Sequence, residues 1–137
     1  MIFIYYNKNR HANYKLTYHL VVVTKYRHPV IIDPIKKRLE EVAKNLFTKW
    51  NCEILEINSD KDHLHILFEA PPQINLANTI NSFKTVTSRY IRKEFTEFLA
   101  KYYWKPYFWS RSYLILTTGG APIEVIKKYI ENQDREG

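Results

Sequence analysis

The chain has 137 residues, of which 45% are hydrophobic and 15% aromatic, so we expect one domain over residues 1–137 with a packed core rather than a disordered chain. Lysine and arginine total 21 against 14 acidic residues, and the formal net charge of +7 favours a polyanionic partner such as nucleic acid. A single cysteine excludes a disulfide framework and a cysteine-rich zinc site, and it favours a reducing compartment. The sequence has no apolar run of membrane-span length and no signal-peptide pattern, so we expect a cytoplasmic protein that does not span a membrane.

A strand and a helix are predicted in the first third of the chain. Residues 14–24 are rich in β-formers and end in the apolar run Leu20–Val23, which is typical of a central strand. Asp33 and Pro34 are expected to be the N-cap and the first residue of an amphipathic helix. Its apolar stripe comprises Ile35, Leu39, Val42, Ala43, Leu46, Phe47 and Trp50.

A hairpin and a second helix follow. Residues 52–58 and the strand that begins at His63 flank the turn-forming residues 58–61, which predicts an antiparallel pair. Asn75 is expected to cap the second helix. The apolar stripe of that helix comprises Ile80, Phe83, Thr87, Tyr90, Ile91 and Phe95.

The last elements complete a recognisable order. Residues 107–118 predict a fourth strand, and Pro122 opens a final helix that extends to about Arg135. The packing stripe of this helix comprises Ile123, Ile126 and Ile130. The order βαββαβ followed by a helix predicts an α+β fold, a ferredoxin-like sandwich with an antiparallel sheet and an additional C-terminal helix.

Cations alternate with aromatic residues in two stretches, Lys84–Lys93 and Lys101–Arg111. Positive charges and flat rings together suit phosphates and unstacked bases, which favours binding of single-stranded nucleic acid. The alternative is that the rings belong to the core and the charges to a solvated surface.

Two histidines are predicted to share one face of the third strand. His63 and His65 are two residues apart, so their imidazoles stand roughly 7 Å apart, opposite the apolar face that contains Leu64 and Phe68. Two imidazoles at this spacing can bind one metal ion, although the pattern also arises by chance. His19, alone on the first strand, is expected to be a hydrogen-bonded structural residue.

The final helix supplies a possible nucleophile. Tyr129 and Gln133 are four residues apart and therefore lie on one helical face. Two imidazole nitrogens and one amide oxygen form a three-ligand metal set with positions open for substrate oxygens. A tyrosine with a pKa of about 10 is a weak nucleophile without help, and no dedicated base is evident. The alternative is an ordinary surface tyrosine.

These motifs resemble, in the same order, the single-tyrosine transposases of the HUH superfamily, the single-strand DNA transposases of the smallest, IS200-like insertion sequences. The HUH pattern, histidine, bulky hydrophobic residue, histidine, is matched by His63-Leu64-His65. The other matching stretches are residues 19–27, 62–72, 84–89, 109–113, 119–124 and 129–133. The resemblance covers nearly the whole chain, with Thr85 standing where the family is expected to have glycine.

The resemblance implies a mechanism and a ligand set. Tyr129 would attack a DNA phosphodiester, form a 5′-phosphotyrosine and free a 3′-hydroxyl, which later attacks a second phosphotyrosine. His63, His65 and Gln133 would hold Mg²⁺ or Mn²⁺, and histidine ligands suit Mn²⁺ better. Cations predicted to bind DNA are Lys25, Arg27, Lys84, Arg89 and Arg111.

The resemblance also implies partners. These would be single-stranded DNA with hairpins at the element ends and a second copy of the chain, in a homodimer whose tyrosine helix reaches the partner's histidines. The location would be the prokaryotic cytoplasm, in association with the nucleoid.

Two alternatives stay open. One is a non-catalytic nucleic-acid-binding module, including a host protein derived from such a transposase, in which Trp104, Tyr107 and Trp109 form a stacking platform. The other is a metal-dependent phosphodiesterase that uses an activated water, for which Tyr129 is dispensable.

Overall fold

The computed structural model describes residues 15–117 and 123–133. Their elements are β1 (Leu16–Val23), α1 (Asp33–Lys49), β2 (Glu53–Ser59), β3 (His63–Ala70), α2 (Leu76–Glu94), α3 (Thr96–Leu99), β4 (Leu114–Thr117) and α4 (Ile123–Glu131). The strands form a sheet in the order β2-β3-β1-β4, with every neighbouring pair antiparallel. This topology confirms the α+β, ferredoxin-like prediction. Within the described ranges, every helix is too short or too polar to cross a membrane.

Strand β1 is buried on both faces. Leu20 and Val22 have no exposed surface and belong to the main core, while Val21 and Val23, equally buried, belong to a smaller cluster on the other face with Ile130. The strand order places β1 in the centre of the sheet, as predicted, and its continuous apolar run reflects burial on both faces.

The main core lies between one face of the sheet and helices α1 and α2. Phe47 from α1 meets Phe68 of β3 edge to face at 5.0 Å between ring centroids, and Phe83 of α2 at 5.6 Å. Both are favourable aromatic geometries. Burial of Ile35 and Leu39 confirms the predicted stripe of α1.

Capping of the two long helices differs from the prediction in one case. Asp33 is the first helical residue of α1 rather than its N-cap; Ile32 occupies that position, with no side-chain cap. The Asp33 carboxylate still lies in the first turn, where it complements the helix dipole. Asn75 caps α2 as predicted, since its Oδ1 accepts a hydrogen bond from the Asn78 amide at 3.1 Å.

The fourth strand is shorter than predicted. Residues 107–118 were expected to be extended, but only Leu114–Thr117 pair as a strand, and the last predicted residue lies outside the described ranges. The carbonyls of Arg111 and Ser112 accept hydrogen bonds from the Lys84 ammonium, at 2.9 and 3.1 Å. These carbonyls therefore bind a side chain instead of a neighbouring strand.

Two residues of the predicted stripes are exposed. Tyr90 on α2 is 42% exposed, beneath the guanidinium of Arg38, which lies 5.4 Å from its ring centroid. Ile123, at the start of α4, is 68% exposed, so the stripe of α4 contains Ile126 and Ile130 but not Ile123. Pro122 and residues 134–135 of the predicted helix lie outside the described ranges.

The Asn75 cap gives a stability prediction. Asn75→Ala removes the acceptor for a backbone amide of the first turn and should lower the free energy of unfolding by about 1 kcal/mol. Urea denaturation measures the change. The control is Asn81→Ala at an exposed interior position of α2, which should not destabilise the protein; equal losses in both variants would contradict a capping role.

Candidate active site

The two histidines of β3 lie on the face of the sheet that is opposite the main core. Leu64, Ile66 and Phe68 are fully buried, whereas His63 and His65, which alternate with them along β3, are half-buried. The predicted alternation is therefore present, and both imidazoles are available from the side of the sheet that α1 and α2 do not cover.

His63 is oriented by the carboxylate that precedes it. Its Nδ1 lies 2.9 Å from Oδ1 of Asp62, whose other oxygen accepts from Arg27 Nε at 3.3 Å. A proton on Nδ1, shared with the carboxylate, leaves the Nε2 lone pair available for a metal ion. Asp62 was part of the matched motif, but no role was predicted for it. Its position directly before the first histidine was the only sequence signal that it could orient His63.

His65 is held by a third imidazole. Its Nε2 lies 2.9 Å from Nδ1 of His19, and the rings stack at 5.1 Å between centroids with 19° between planes. The pKa of His65 is lowered, first by burial and then by the neighbouring histidines. Neutral imidazole is the form that binds metals. His19, expected to be a hydrogen-bonded structural residue, makes its hydrogen bond to the proposed ligand.

The chain leaves β1 through a strained corner that fixes Asp62. Tyr26 and Arg27 both adopt left-handed backbone conformations, with φ of 60° and 56°, which are costly for residues other than glycine. Thr24 donates its backbone amide to the Asp62 carbonyl at 2.9 Å. The corner thereby joins the end of β1 to the start of the histidine strand.

Aromatic rings surround this corner. The Tyr103 hydroxyl donates to the carbonyl of Lys25 at 2.8 Å, and the pKa of Tyr103 is raised by burial. The Lys25 ammonium lies 5.1 Å from the ring centroid of Tyr26 and 4.9 Å from that of Tyr107. These contacts hold the corner in its strained conformation.

Helix α4 packs on the face that carries the imidazoles. Ile126, Tyr129 and Ile130 contact the cluster formed by Val21 and Val23. The cross-strand partners of these two valines in β3 are the two histidines. Tyrosine and imidazoles therefore lie on the same side of the sheet within one chain, one strand apart.

One serine joins the tyrosine and the glutamine of α4. Ser112 Oγ lies 2.8 Å from the Tyr129 hydroxyl and donates to Gln133 Oε1 at 3.0 Å, while Gln133 Nε2 donates to the Tyr129 carbonyl at 3.2 Å. Because the amide oxygen only accepts, the single proton of Ser112 goes to Gln133, and the Tyr129 hydroxyl donates to Ser112. The phenol lone pairs are left free to attack. Ser112 was not predicted; its place in a matched stretch was the only signal.

Tyr129 and Gln133 form one hydrogen-bonded group, and the two histidines of β3 make their hydrogen bonds with other residues. Among the described residues, no hydrogen bond links Tyr129 or Gln133 to either histidine. In the same part of the chain, no three histidine, cysteine or acidic side chains are grouped closely enough to hold a metal. The donor chemistry nevertheless fits a divalent ion, because two oriented imidazoles and one amide oxygen face one side of the sheet.

Comparison with known proteins identifies the family. The family model described as "Transposase IS200 like" matches residues 12–133. The chain belongs to the IS200-like transposases. Family membership gives the protein the activity named for the family, DNA transposition, and confirms the resemblance inferred from the sequence motifs.

Curated relatives and solved structures agree with this assignment. The chain is 30% identical over 130 residues to the ISDra2 transposase TnpA of Deinococcus radiodurans R1, covering 94% of this chain and 92% of the relative. It is 28% identical over 126 residues to the IS200 transposase of Salmonella typhimurium LT2, covering 92% and 82%.

Among solved structures, a crystal structure of a D. radiodurans R1 protein assigned as a transposase matches with a TM-score of 0.81 and 30% identity, covering 88% of this chain and 92% of that one. A REP-associated tyrosine transposase bound to a REP hairpin matches at 10% identity with a TM-score of 0.56, over 85% and 62% of the chains, which supports the fold alone.

The five cations predicted to bind DNA differ in their surroundings in this transposase. Arg89 and Arg111 are exposed. Arg27 is engaged by Asp62, and Lys25 covers two tyrosine rings. The ammonium of Lys84 binds two carbonyls, and burial lowers its pKa to about 8. DNA contact by these residues stays a prediction.

The stacking platform of the binding-module alternative is wrong in one residue. Trp109 is 8% exposed, and its Nε1 donates to Thr87 Oγ1 at 2.9 Å, so its ring is part of the core. Trp104 is 79% exposed, and Tyr107 is half-buried.

The Tyr129 environment gives a spectroscopic prediction. Burial raises the pKa of Tyr129, and the hydrogen bond with Ser112 opposes part of this rise, because the serine hydroxyl can turn from Gln133 and donate to the phenolate once Tyr129 has lost its proton. Ser112→Ala should therefore raise the pKa of Tyr129 further. Alkaline titration of phenolate absorbance, taken as the difference between proteins with and without Tyr129→Phe, isolates this phenol. An unchanged or lower pKa in the Ser112→Ala background would contradict the contact.

Proposed function

We propose that this transposase nicks and rejoins single-stranded DNA at the ends of an insertion sequence through a covalent 5′-phosphotyrosine at Tyr129. The observation that carries the proposal is the hydrogen bonding of Tyr129 and Gln133 to one serine, on the sheet face that also carries His63 and His65. A nucleophile and potential metal ligands are thus held on one surface of a basic protein.

The cleavage step consumes no ATP, because one phosphate ester bond is exchanged for another. The phenol oxygen of Tyr129 forms a bond to phosphorus, and the bond from phosphorus to the 3′-oxygen breaks. The phenol loses a proton and the leaving 3′-hydroxyl gains one. Rejoining is the reverse reaction with a different 3′-hydroxyl, so the energy of the broken phosphodiester is kept in the phosphotyrosine.

The tyrosine must lose its proton during attack. Its raised pKa means that the phenol is protonated at neutral pH. The hydrogen bond to Ser112 fixes the direction of the O–H bond and leaves the lone pairs pointing elsewhere. Ser112 is thereby a positioning residue for the nucleophile and, through Gln133, for a proposed metal ligand.

A divalent ion, Mn²⁺ or Mg²⁺, would be held by Nε2 of His63, by the imidazole of His65 and by the amide oxygen of Gln133. When bound, such an ion polarises the scissile phosphate. The Asp62 carboxylate keeps His63 in the required tautomer, and burial favours neutral His65.

The proposed partners are single-stranded DNA with hairpins at the element ends and a second subunit. The net charge of +7 supports a polyanionic ligand. Here α4 packs on its own sheet. In a homodimer with shared active sites, Ile126 and Ile130 would make the same apolar contact with the valines of the other subunit.

Loss of the phenol oxygen should abolish the covalent product. With single-stranded element ends and Mn²⁺, wild-type protein should form an adduct that mass spectrometry assigns to Tyr129. Tyr129→Phe should bind the same DNA and form no adduct.

The matched control is Tyr90→Phe, which removes an exposed hydroxyl from α2 and should retain adduct formation. Cleavage without any adduct in wild-type protein would instead favour the phosphodiesterase that uses water. Binding without cleavage would favour the binding module.

The Asp62–His63 contact predicts a loss of metal affinity. Asp62→Asn weakens the acceptor that orients His63 and should reduce Mn²⁺ affinity by about 10- to 100-fold, while His63→Ala should remove metal binding and cleavage together. Isothermal titration calorimetry without DNA measures the binding. The control is Glu69→Gln, at the other end of β3, which should bind Mn²⁺ with wild-type affinity. Wild-type Mn²⁺ affinity in the Asp62→Asn variant would refute the proposed role of Asp62 in orienting His63.

A further inference from the structure

We propose that the DNA strand flanking the scissile phosphate lies in two adjoining clefts between α2 and residues 105–110, with its phosphates on Arg92 and Lys105 and a base on Trp104. This proposal rests on the proposed function for the position of the scissile phosphate. The strand path itself is carried by the shape, charge and exposed rings of this surface.

The two clefts form one continuous surface. The inner cleft has a volume of about 260 Å³ and the outer one about 200 Å³, and both are lined by Arg92, Pro106 and Tyr107. Ser110 lines the inner cleft, and its Oγ lies 3.5 Å from Gln133 Oε1. The inner cleft therefore opens beside the cluster that holds Tyr129.

The clefts are positive without acidic neighbours in their walls. Lys84 and Arg92 line the inner cleft, Arg92 and Lys105 the outer one, and the other lining residues are hydroxyl-bearing, aromatic or apolar. By contrast, a neighbouring cleft at the end of α2 contains both Glu94 and Glu97. A polyanionic strand is thus favoured in the first two clefts and not in the third.

The cations in these clefts are not equivalent. Lys84 donates to two backbone carbonyls, so its ammonium supports the chain that carries Ser112. Arg92 is fixed through one nitrogen only, since its Nε donates to Ser88 Oγ at 3.0 Å. Among residues 15–117 and 123–133, neither Arg92 nor Lys105 belongs to an ion pair. The phosphate contacts therefore fall to these two.

An exposed aromatic ring lies next to the outer cleft. Trp104 is 79% exposed, and the Lys105 ammonium lies 4.7 Å from its ring centroid. An exposed indole beside a cation suits an unstacked base and its phosphate, a pairing that recurs in proteins binding single strands. The shared wall provides a second ring, that of Tyr107.

Binding of fluorescently labelled oligothymidylate at several salt concentrations tests the path. Arg92→Ala and Lys105→Ala should each weaken binding and reduce the slope of log affinity against log salt by about 0.7. Trp104→Ala should weaken binding at least about fivefold, and Trp104→Phe should restore most of the loss.

One variant serves as the matched comparison. Lys93→Ala removes an equal charge from the acidic cleft beside Arg92 and should leave the salt slope unchanged. Equal slopes for wild-type protein, Arg92→Ala and Lys105→Ala would overturn the proposal.

Failure of this path and failure of the proposed chemistry are distinguishable. Normal adduct formation at Tyr129 with binding insensitive to Arg92, Lys105 and Trp104 would reject the path alone. Weakened binding in those variants without any adduct in wild-type protein would support the path and reject the phosphotyrosine mechanism.

Discussion

The packing of α4 against Val21 and Val23 is the contact on which the arrangement of the site depends. These valines face away from the main core and have the two histidines as their cross-strand neighbours. A helix seated on them brings its tyrosine to the imidazole side of the sheet. Because β1 is buried on both faces, the same strand joins the core that stabilises the fold to the surface that carries the chemistry.

Much of the fold follows from local sequence signals. Alternating and helical hydrophobic patterns predicted the order of strands and helices, and the apolar run at the end of β1 predicted that this strand is central in the sheet. Two of the errors lie where side chains that are distant in sequence meet. Just before the short β4, Lys84 binds the carbonyls of Arg111 and Ser112, and the partly exposed Tyr90 lies against Arg38 rather than in the core. A single sequence contains no signal for such contacts between distant residues.

The sequence predicted which residues form the candidate site but not the hydrogen bonds that join them. His63, His65, Tyr129 and Gln133 stood out because of spacing and resemblance, and the structure gives the first two a common face and the last two a common hydrogen-bond partner. Ser112, which supplies that partner, is one polar residue among many in the sequence. Its importance arises only when a loop and a helix meet, and sequence spacing does not encode that meeting.

The left-handed corner after β1 makes the chemistry sensitive to residues far from it. Tyr26 and Arg27 hold a conformation that packing must impose, and the same corner anchors Asp62. If the surrounding rings were loosened, the backbone would relax toward ordinary angles, and the released strain would offset only part of the packing that is lost. The carboxylate would shift with the backbone, and with it the tautomer of His63. The tyrosines around this corner therefore act on the orientation of a proposed metal ligand as well as on the packing of the core.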